Sequence, residues 1–424
     1  MKHHKPLIKI ILAGVLMLFV SCTKEEAIPR EKAQGKTSLF EQVNEPEPSA
    51  SNSGSEEGVH MTLAEDSRAS SGSTSTGSGA SGHGDSKGQF EPGILTAGEW
   101  NDLEHWDFWN DLLKNQEYFE DVNKWNLKEI KRYSFIVKDP NELPVPNAEI
   151  ILLSGEEEVW KARTDNKGKA TLWSDLGLNN LTAIVKYKDT EKVVEALAYD
   201  SSINSVVLDQ TTDNKKIIDL YFAVDATGSM SDEIDYLKAE LNNVIEQIKE
   251  NNPSLEMRFG SVFYRDEGDE YVTRSFDFTD DETRLISFIS EQSAQGGGDF
   301  PEAVHTALDV AITQNSWNNN ASARILFLLL DAPPHYTQEA VSSMELNLIK
   351  AAEKGIKIIP ITASGVDKST EYLMRSFAIL TNGTYVFITD DSGVGNDHLE
   401  PTIGEFSVEK LNELLVRLIG EYVL

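Results

Sequence analysis

The run Asp225-Ala-Thr227-Gly-Ser229 carries the residue types most able to do chemistry in this chain. One carboxylate is followed by hydroxyls two and four residues later, so a single loop can turn three hard oxygen atoms toward one point. Such oxygen atoms suit Mg²⁺ or another hard divalent cation. A purely structural alternative is that Ser229 or Ser231 only caps the helix that is predicted to follow.

The sequence lacks the residue sets of common hydrolase and redox sites. Its single cysteine, Cys22, excludes a disulfide framework, a zinc-thiolate cluster and a Cys-x-x-Cys redox site. No His-x-His or His-Glu-x-x-His pair supplies zinc ligands, and no Gly-x-Ser-x-Gly elbow supplies a nucleophile. We therefore predict a binding protein and no enzyme; the enzymatic alternative would need Asp266 or His335 as its base.

The elements that must position Asp225 follow an alternating pattern from residue 215 to residue 424. Short apolar runs alternate with amphipathic stretches, which is typical of a doubly wound, Rossmann-like α/β fold with helices on both faces of a parallel sheet. Ligands of such folds bind at the carboxyl ends of the strands, where Asp225 stands. The predicted strands are 217–224, 257–264, 271–278 (an edge), 324–330, 356–362 and 384–388. The predicted helices are 231–250, 281–291, 301–314, 338–354, 370–380 and 408–418.

The Asp225 run resembles the Asp-x-Ser-x-Ser signature of von Willebrand factor type A (vWA) domains, with Thr227 at the first hydroxyl position. The resemblance implies a metal-ion-dependent adhesion site (MIDAS), in which Thr227 and Ser229 ligate the ion directly and Asp225 acts through water. Asp331 is similar to the acidic residue that the family places after its fourth strand, although Ala-Pro-Pro follows it here in place of the usual glycine. The resemblance implies Mg²⁺, with Ca²⁺ or Mn²⁺ as alternatives, and a protein or extracellular-matrix-like partner.

The loop Gly296-Gly-Gly-Asp299-Phe-Pro-Glu302 departs from the family pattern, because glycine and then Asp299 stand where the family usually has a threonine ligand. A subset of bacterial vWA domains is similar in combining Tyr264-Arg-Asp266 with such a loop. Asp299 is either a metal ligand or the N-cap of the next helix, since Asp299-x-x-Glu302 fits a capping box. If Asp299 is a ligand, up to three carboxylates face the ion. We then expect tight metal binding and a partner that depends less on one acidic residue.

Further charged residues are expected near the same rim. Arg265 most simply pairs with Asp266 or Asp299, and contact with a partner is the alternative. His335 is close to Asp331 in sequence and is expected to line the rim. An acidic stretch after the last strand allows a Ca²⁺ site, although it lacks the spacing and the terminal Glu of an EF-hand loop. Its residues are Asp390, Asp391, Asn396, Asp397 and Glu400.

The first 21 residues resemble a bacterial lipoprotein signal peptide. Lysines precede an apolar stretch of 11 residues, 10–20, which is too short to span a bilayer as a mature helix. The stretch ends in Val20-Ser21-Cys22, which resembles a lipobox, so we expect lipidation of Cys22; a secretory signal with an incidental cysteine is the alternative. The next run, 23–26, is similar to the surface-export signal of Bacteroidetes lipoproteins, or is an ordinary charged run. These features predict a lipid anchor in the outer membrane and exposure at the cell surface.

Residues 22–91 are predicted to form a disordered linker. Large apolar residues are rare there, and 69–82 contain only Ala, Ser, Gly and Thr, so burial cannot offset the entropy of ordering. About seventy such residues would span about 45 Å, which is enough to hold a folded domain away from the membrane. The formal net charge of the chain, −32, argues against nucleic acid or anionic lipid as a partner.

Two further regions lie between the linker and the vWA-like region. Residues 92–131 contain four of the seven tryptophans and predict a Trp-rich helical strap packed on the next domain; an aromatic platform for sugars is the alternative. Residues 132–210 contain seven short β-rich runs and predict a small antiparallel β-sandwich. Segments 144–150 and 164–170 are similar to carboxypeptidase regulatory-like or prealbumin-like domains. We predict a spacer or packing role for this sandwich.

The sequence as a whole thus predicts a lipid-anchored surface protein that binds a partner through a cation. The alternative is a structural subunit of an envelope complex in which the metal only stabilises the fold.

Overall fold

The computed structural model describes residues 91–423, except for 116–117, 119, 122–123, 126–129, 201 and 213–215. The predicted signal peptide, the lipidation site at Cys22 and nearly all of the linker lie outside the described residues. In the part of the chain that is described, no helix combines the length and the apolar character needed to cross a membrane.

The described residues form strands β1 to β15 and helices α1 to α7. The strands are β1 (Thr96–Trp100), β2 (Ile130–Lys138), β3 (Glu149–Ser154), β4 (Glu157–Arg163), β5 (Lys169–Asp175), β6 (Thr182–Tyr187), β7 (Thr190–Glu195), β8 (Asn204–Val207), β9 (Ile217–Asp225), β10 (Glu256–Tyr264), β11 (Thr273–Thr279), β12 (Ala323–Leu330), β13 (Ile356–Thr362), β14 (Tyr385–Ile388) and β15 (Glu409–Lys410). The helices are α1 (Trp106–Leu112), α2 (Ile234–Asn251), α3 (Glu282–Ser290), α4 (Val304–Thr313), α5 (Gln338–Lys354), α6 (Lys368–Leu380) and α7 (Leu411–Val423).

An eight-stranded sheet forms the centre of the C-terminal region, with the strand order β11-β10-β9-β12-β13-β14-β1-β15. Five neighbouring strands run parallel to one another, in the order β10, β9, β12, β13 and β14. The edges are antiparallel, with β11 at one side and β1 and β15 at the other. Every residue of β9, β12 and β13 is buried, because these apolar runs face helices on both sides.

Two hydrophobic cores cover the two faces of this sheet. Phe222 and Phe327 stack on one face with ring centroids 5.6 Å apart, in the core that includes residues of α2, α3 and α7. Tyr221 and Leu326 lie in the core that includes residues of α4, α5 and α6. The alternation of side chains along each strand produces this division. The predicted α/β architecture with helices on both faces is therefore present.

The N-terminal part of the Trp-rich region is a strand and not a helix, so the sequence prediction was wrong there. Residues Thr96–Trp100 form β1, which pairs with β14 so that Trp100 lies opposite Tyr385. Beyond β1, Trp109 stacks on Tyr372 of α6 with ring centroids 5.3 Å apart. All four tryptophans of the region are buried, which favours packing over a sugar-binding platform.

Seven strands, β2 to β8, form two smaller sheets with the orders β5-β2-β8 and β4-β3-β6-β7. The prediction of a purely antiparallel arrangement was wrong, because β8 pairs with β2 in parallel. Side chains of these strands join the same hydrophobic core as α4, α5 and α6. The assignment of this region as a separate sandwich domain, similar to carboxypeptidase regulatory-like domains, therefore stays a prediction.

Candidate functional site

Three loops meet at the carboxyl edge of the large sheet. The backbone N–H of Gly228 donates to the carbonyl of Gly296 at 3.0 Å, and the N–H of Glu302 donates to the carbonyl of Pro333 at 2.9 Å. These bonds hold the loops as one unit, although they are far apart in sequence. We name them loop 1 (225–233, beginning with the last residue of β9), loop 2 (291–303) and loop 3 (331–337).

Loop 1 turns a carboxylate and two hydroxyls toward one another. The Oδ1 atom of Asp225 accepts hydrogen bonds from the N–H of Thr227 at 2.9 Å and from its hydroxyl at 2.7 Å. The hydroxyl oxygens of Thr227 and Ser229 are 3.2 Å apart. Neighbouring ligands of octahedral Mg²⁺, with bonds of about 2.1 Å, lie about 3 Å apart. The two hydroxyls share a hydrogen bond at this distance, and the same spacing is compatible with adjacent ligands of one ion.

The alternative role of the loop 1 serines as helix caps is wrong. Ser229 and Ser231 lie inside a short 3₁₀ turn, Gly228–Asp232. Helix α2 begins only at Ile234, its N-cap residue is Glu233, and no side chain caps it. The Ser229 hydroxyl is therefore available for another role.

The Asp225 carboxylate is buried, and only part of its hydrogen-bonding capacity is used. Asp225 has no exposed surface, and its Oδ2 atom has no hydrogen bond of normal geometry among the described residues, although the buried Tyr264 hydroxyl lies close enough to lower the pKa of Asp225 in part. Burial, and next the charge of the buried Asp331, raise the pKa of Asp225. A buried carboxylate is costly unless it is paired with a positive group, so a cation fits this position.

Acidic side chains alone do not form a complete metal site. Within the described residues, no group of three or more His, Cys, Asp and Glu side chains is arranged to hold a metal ion. A cation at this edge would therefore depend on the Thr227 and Ser229 hydroxyls and on water as well as on carboxylates.

Loop 2 differs from the sequence prediction at its helix end. Helix α4 begins at Val304 with Ala303 as its N-cap residue, so Asp299 does not cap it and the capping box is wrong. The reason is that Glu302 bonds through its N–H to loop 3 before the helix begins. Asp299 is exposed, and its role as a metal ligand stays a prediction.

Glu302 is the residue of loop 2 whose importance the sequence analysis missed. Its side chain is buried, and burial, followed by the charge of Asp225, raises the pKa of Glu302 to about 9. Glu302 belongs to the Gly296–Glu302 motif, so a signal was present. Its spacing from Asp299 fitted a capping box, and this local interpretation hid its position beside loop 1.

Arg265 holds the loops in place and does not neutralise the predicted acidic residues. Its Nε atom donates to the carbonyl of Ala226 at 3.1 Å, and its Nη1 atom lies 3.8 Å from Glu270. The expected pairing with Asp266 or Asp299 is therefore wrong. The buried guanidinium instead fixes the backbone of loop 1 at the end of β9.

Asp266 and His335 come together at the rim, as their predicted positions suggested. The Oδ1 atom of Asp266 lies 2.5 Å from His335 Nε2. Nearby, Asp269 accepts a hydrogen bond from the N–H of Gly297 at 2.9 Å and another from the N–H of Asp266 at 3.1 Å. Asp269 thus links the turn after β10 to loop 2, a role that the sequence analysis did not assign.

The acidic stretch after β14 contains an ion-paired histidine. His398 Nδ1 lies 2.8 Å from Asp390 Oδ1, and its Nε2 lies 3.2 Å from Glu233 Oε1 at the end of loop 1. A Cβ atom on Gly395 would lie 2.1 Å from Glu233 Oε1, so only glycine fits there. The predicted Ca²⁺ site in this stretch is untested, but Asp390 already pairs with His398.

We expect the substitution His398→Gln to remove a pH-dependent contribution to stability. Burial lowers the pKa of His398, but Glu233 and Asp390 raise it more, so the folded pKa lies above 6.5. Such a group stabilises the fold fully below pH 6.5, and its contribution is lost as the pH rises through the folded pKa. Urea denaturation at several pH values should show a deficit of about 1–3 kcal/mol in the variant at low pH that shrinks at high pH.

The matched control for this prediction is Asp390→Asn, which should remove part of the same pH dependence because it deletes one of the two acidic partners. A deficit in His398→Gln that stays constant from pH 6 to pH 9 would contradict the assignment of this ion pair.

Comparisons with known proteins identify the C-terminal region. Residues 219–393 match the family model described as von Willebrand factor A domain. The alpha-protein kinase vwkA of Dictyostelium discoideum is 28% identical over 211 residues, which cover 49% of this chain and 33% of that protein. A putative ariadne-like RING finger protein of Acanthamoeba polyphaga mimivirus is 29% identical over 216 residues, which cover 49% of this chain and 21% of that protein. The match thus spans a third or less of these relatives, and the chain contains a vWA domain.

Two solved structures are also similar to part of the chain. The conserved hypothetical protein BatB from Bacteroides thetaiotaomicron is 14% identical, with a TM-score of 0.34, and the match covers 48% of this chain and 98% of that one. An aerotolerance-related membrane protein from Bacteroides fragilis NCTC 9343, with multiple mutations to serines, is 14% identical with a TM-score of 0.33 and the same coverage of both chains.

Proposed function

We propose that this chain is a surface lipoprotein whose vWA domain binds a divalent cation and, through it, a protein or matrix-like partner. The observation that carries the proposal is the convergence of the Asp225 carboxylate with the Thr227 and Ser229 hydroxyls, next to the charge of Asp331. Mg²⁺ suits these hard oxygen ligands best, and Ca²⁺ or Mn²⁺ are the alternatives.

The proposed roles of the site residues depend on how deeply each residue is buried. Thr227 is buried and Ser229 is exposed, so the site is closed toward the sheet and open toward solvent. Thr227, Ser229 and Asp331 would hold the ion, and Asp225 would orient the Thr227 hydroxyl as it does now. The ion would supply positive charge to which an oxygen atom of the partner binds.

Two exposed aromatic side chains on the same loops support partner binding. Phe300 of loop 2 is 48% exposed and Tyr336 of loop 3 is 46% exposed. Tyr336 is held from behind by Trp125, with ring centroids 5.6 Å apart. Aromatic residues are enriched in protein interfaces, where they bury large area at a low entropic cost.

The proposed location of the protein rests on the N-terminal sequence. Lipidation of Cys22 would anchor the chain in the outer membrane, and the linker 22–91 would carry the folded part away from it. The export-like run 23–26 supports exposure at the cell surface.

Two other functions each have one supporting observation. The burial of Asp225, Thr227 and Asp331 favours a metal that only stabilises a subunit of an envelope complex. The short contact between Asp266 and His335 is the arrangement that a general base would need, and it favours the less supported enzymatic alternative.

The test of the proposal is metal-reversible capture by the immobilised full chain. We expect a protein from envelope or host-matrix fractions to bind in Mg²⁺, to be released by EDTA, and not to bind to Asp225→Asn. Without metal, the variant should melt at a temperature no lower than that of the unaltered chain. Binding that persists in EDTA while the melting temperature falls would support the structural alternative, and metal-dependent turnover lost in His335→Gln would support the enzymatic one.

A further inference from the structure

Loop 2 offers two acidic residues to the candidate cation site, and they differ in burial. Asp299 is exposed, whereas Glu302 is only 3% exposed. The N–H of Glu302 donates to the carbonyl of Pro333, and the backbones of Glu302 and Pro334 form a single parallel β-bridge. These contacts fix Glu302 against loop 3, which carries Asp331.

The missing side chain of Gly297 opens the space between Glu302 and loop 1. A Cβ atom on Gly297 would lie 3.0 Å from Glu302 Oε1 and 3.4 Å from the Cβ atom of Thr227. Gly297 also has a φ of +73°, a conformation that other residues rarely adopt. The glycine therefore lets the Glu302 carboxylate approach the hydroxyl ligands that loop 1 provides.

The charges around Glu302 are negative. Its Oε2 atom is buried and has no hydrogen-bond partner among the described residues. After burial, the charges that raise its pKa are, in order, those of Asp225, Asp266, Asp331 and Asp269. These surroundings favour the protonated, uncharged form of the Glu302 carboxyl, and a cation from solvent would favour its charged form instead.

We propose that Glu302, and not Asp299, supplies the loop 2 carboxylate that faces the bound cation, directly or through one water. The inference rests on the cation site of the proposed function. In the family, a threonine hydroxyl usually occupies this ligand position. In this chain the longer acidic side chain of Glu302 would occupy it, and that side chain enters from the helix end of loop 2. Gly297 makes room for it, and the Glu302 backbone bond to Pro333 fixes it.

The experiment measures Mn²⁺ binding to the full chain by electron paramagnetic resonance, in which the signal of free Mn²⁺ is lost on binding. The variants are Glu302→Gln, which keeps the shape of the side chain, and Asp299→Asn, a matched change in the same loop. We expect Glu302→Gln to weaken Mn²⁺ affinity by about 10–100-fold, as loss of a ligand or of its supporting group does. Asp299→Asn should leave the affinity unchanged.

The outcomes separate this inference from the proposed function. Weakening in Asp299→Asn but not in Glu302→Gln would overturn the inference and keep the cation site. If neither variant weakens binding while Asp225→Asn does, loop 2 provides no carboxylate and the inference is again overturned. If Asp225→Asn also binds Mn²⁺ normally, the cation site itself is wrong. Circular dichroism and the metal-free melting temperature check the fold of each variant, and a Glu302→Asp variant that restores part of the affinity would show that the negative charge is what matters.

Discussion

Replacing Arg375 with Met should lower the free energy of unfolding by about 3–5 kcal/mol. Arg375 is fully buried in α6 and donates two hydrogen bonds to Asp102, at 2.9 and 2.7 Å. It also donates to Glu371 at 3.1 Å and to the carbonyl of Thr402 at 2.7 Å. The substitution would leave the buried Asp102 without a cation and Glu371 with Lys368 only, and it would remove the ion pair that joins the segment after β1 to α6.

The matched control is Arg417→Met. Arg417 pairs with Glu99, Glu409 and Glu421, but its side chain is 39% exposed. Water screens these pairs, so we expect a loss of about 1 kcal/mol or less. Chemical denaturation measures the free energy of unfolding of both variants. Equal losses of this free energy would contradict the view that the buried Arg375 network holds the N-terminal segment to the vWA domain.

The substitution Asp225→Asn should abolish stabilisation by divalent cations. The unaltered chain should gain about 2.7 kcal/mol when the Mg²⁺ concentration is one hundred times its dissociation constant, and the variant should gain nothing. Without metal the variant should be at least as stable as the unaltered chain. The reason is that the amide keeps the bond from the Thr227 hydroxyl and removes a buried charge next to Asp331.

The control for this prediction is Asp391→Asn, in the acidic stretch after β14, where Asp391 is exposed. Thermal unfolding with and without Mg²⁺ should show full stabilisation in this control. Stabilisation that survives Asp225→Asn but is lost in Asp391→Asn would place the ion in the acidic stretch and contradict the site at loop 1.

The central sheet was predictable because its strands are buried on both faces. Continuous apolar runs such as 325–330 are favourable only between two layers of helices. The predicted strand 356–362 and the predicted helix 338–354 have the same bounds in the structure. Asp225 and Asp331 could be placed for the same reason, since Asp225 ends one buried strand and Asp331 directly follows another.

The features that the sequence did not reveal depend on contacts between distant residues. Strand β1 is only five residues long and forms by pairing with β14, so its helical neighbourhood suggested a helix. Glu302 fitted a local capping box, and only its backbone bond to Pro333 shows that the helix begins later. Local patterns cannot distinguish such alternatives, because the deciding bond joins two loops.

The ion pairs of His398 and Arg375 were hidden for the same reason. Asp102 and Arg375 are 273 positions apart, and no spacing in the sequence connects them. No other histidine stands near His398 in the sequence, yet the fold brings Glu233 and Asp390 to its two ring nitrogens. Such partners become visible only when the topology places their elements side by side.

The most direct measurement is anomalous X-ray diffraction from crystals of the full chain grown with Mn²⁺. We expect one manganese peak at the carboxyl edge of the large sheet, within bonding distance of the hydroxyl oxygens of Thr227 and Ser229. Absence of a peak at these oxygens, or a peak only among residues 390–400, would contradict this expectation.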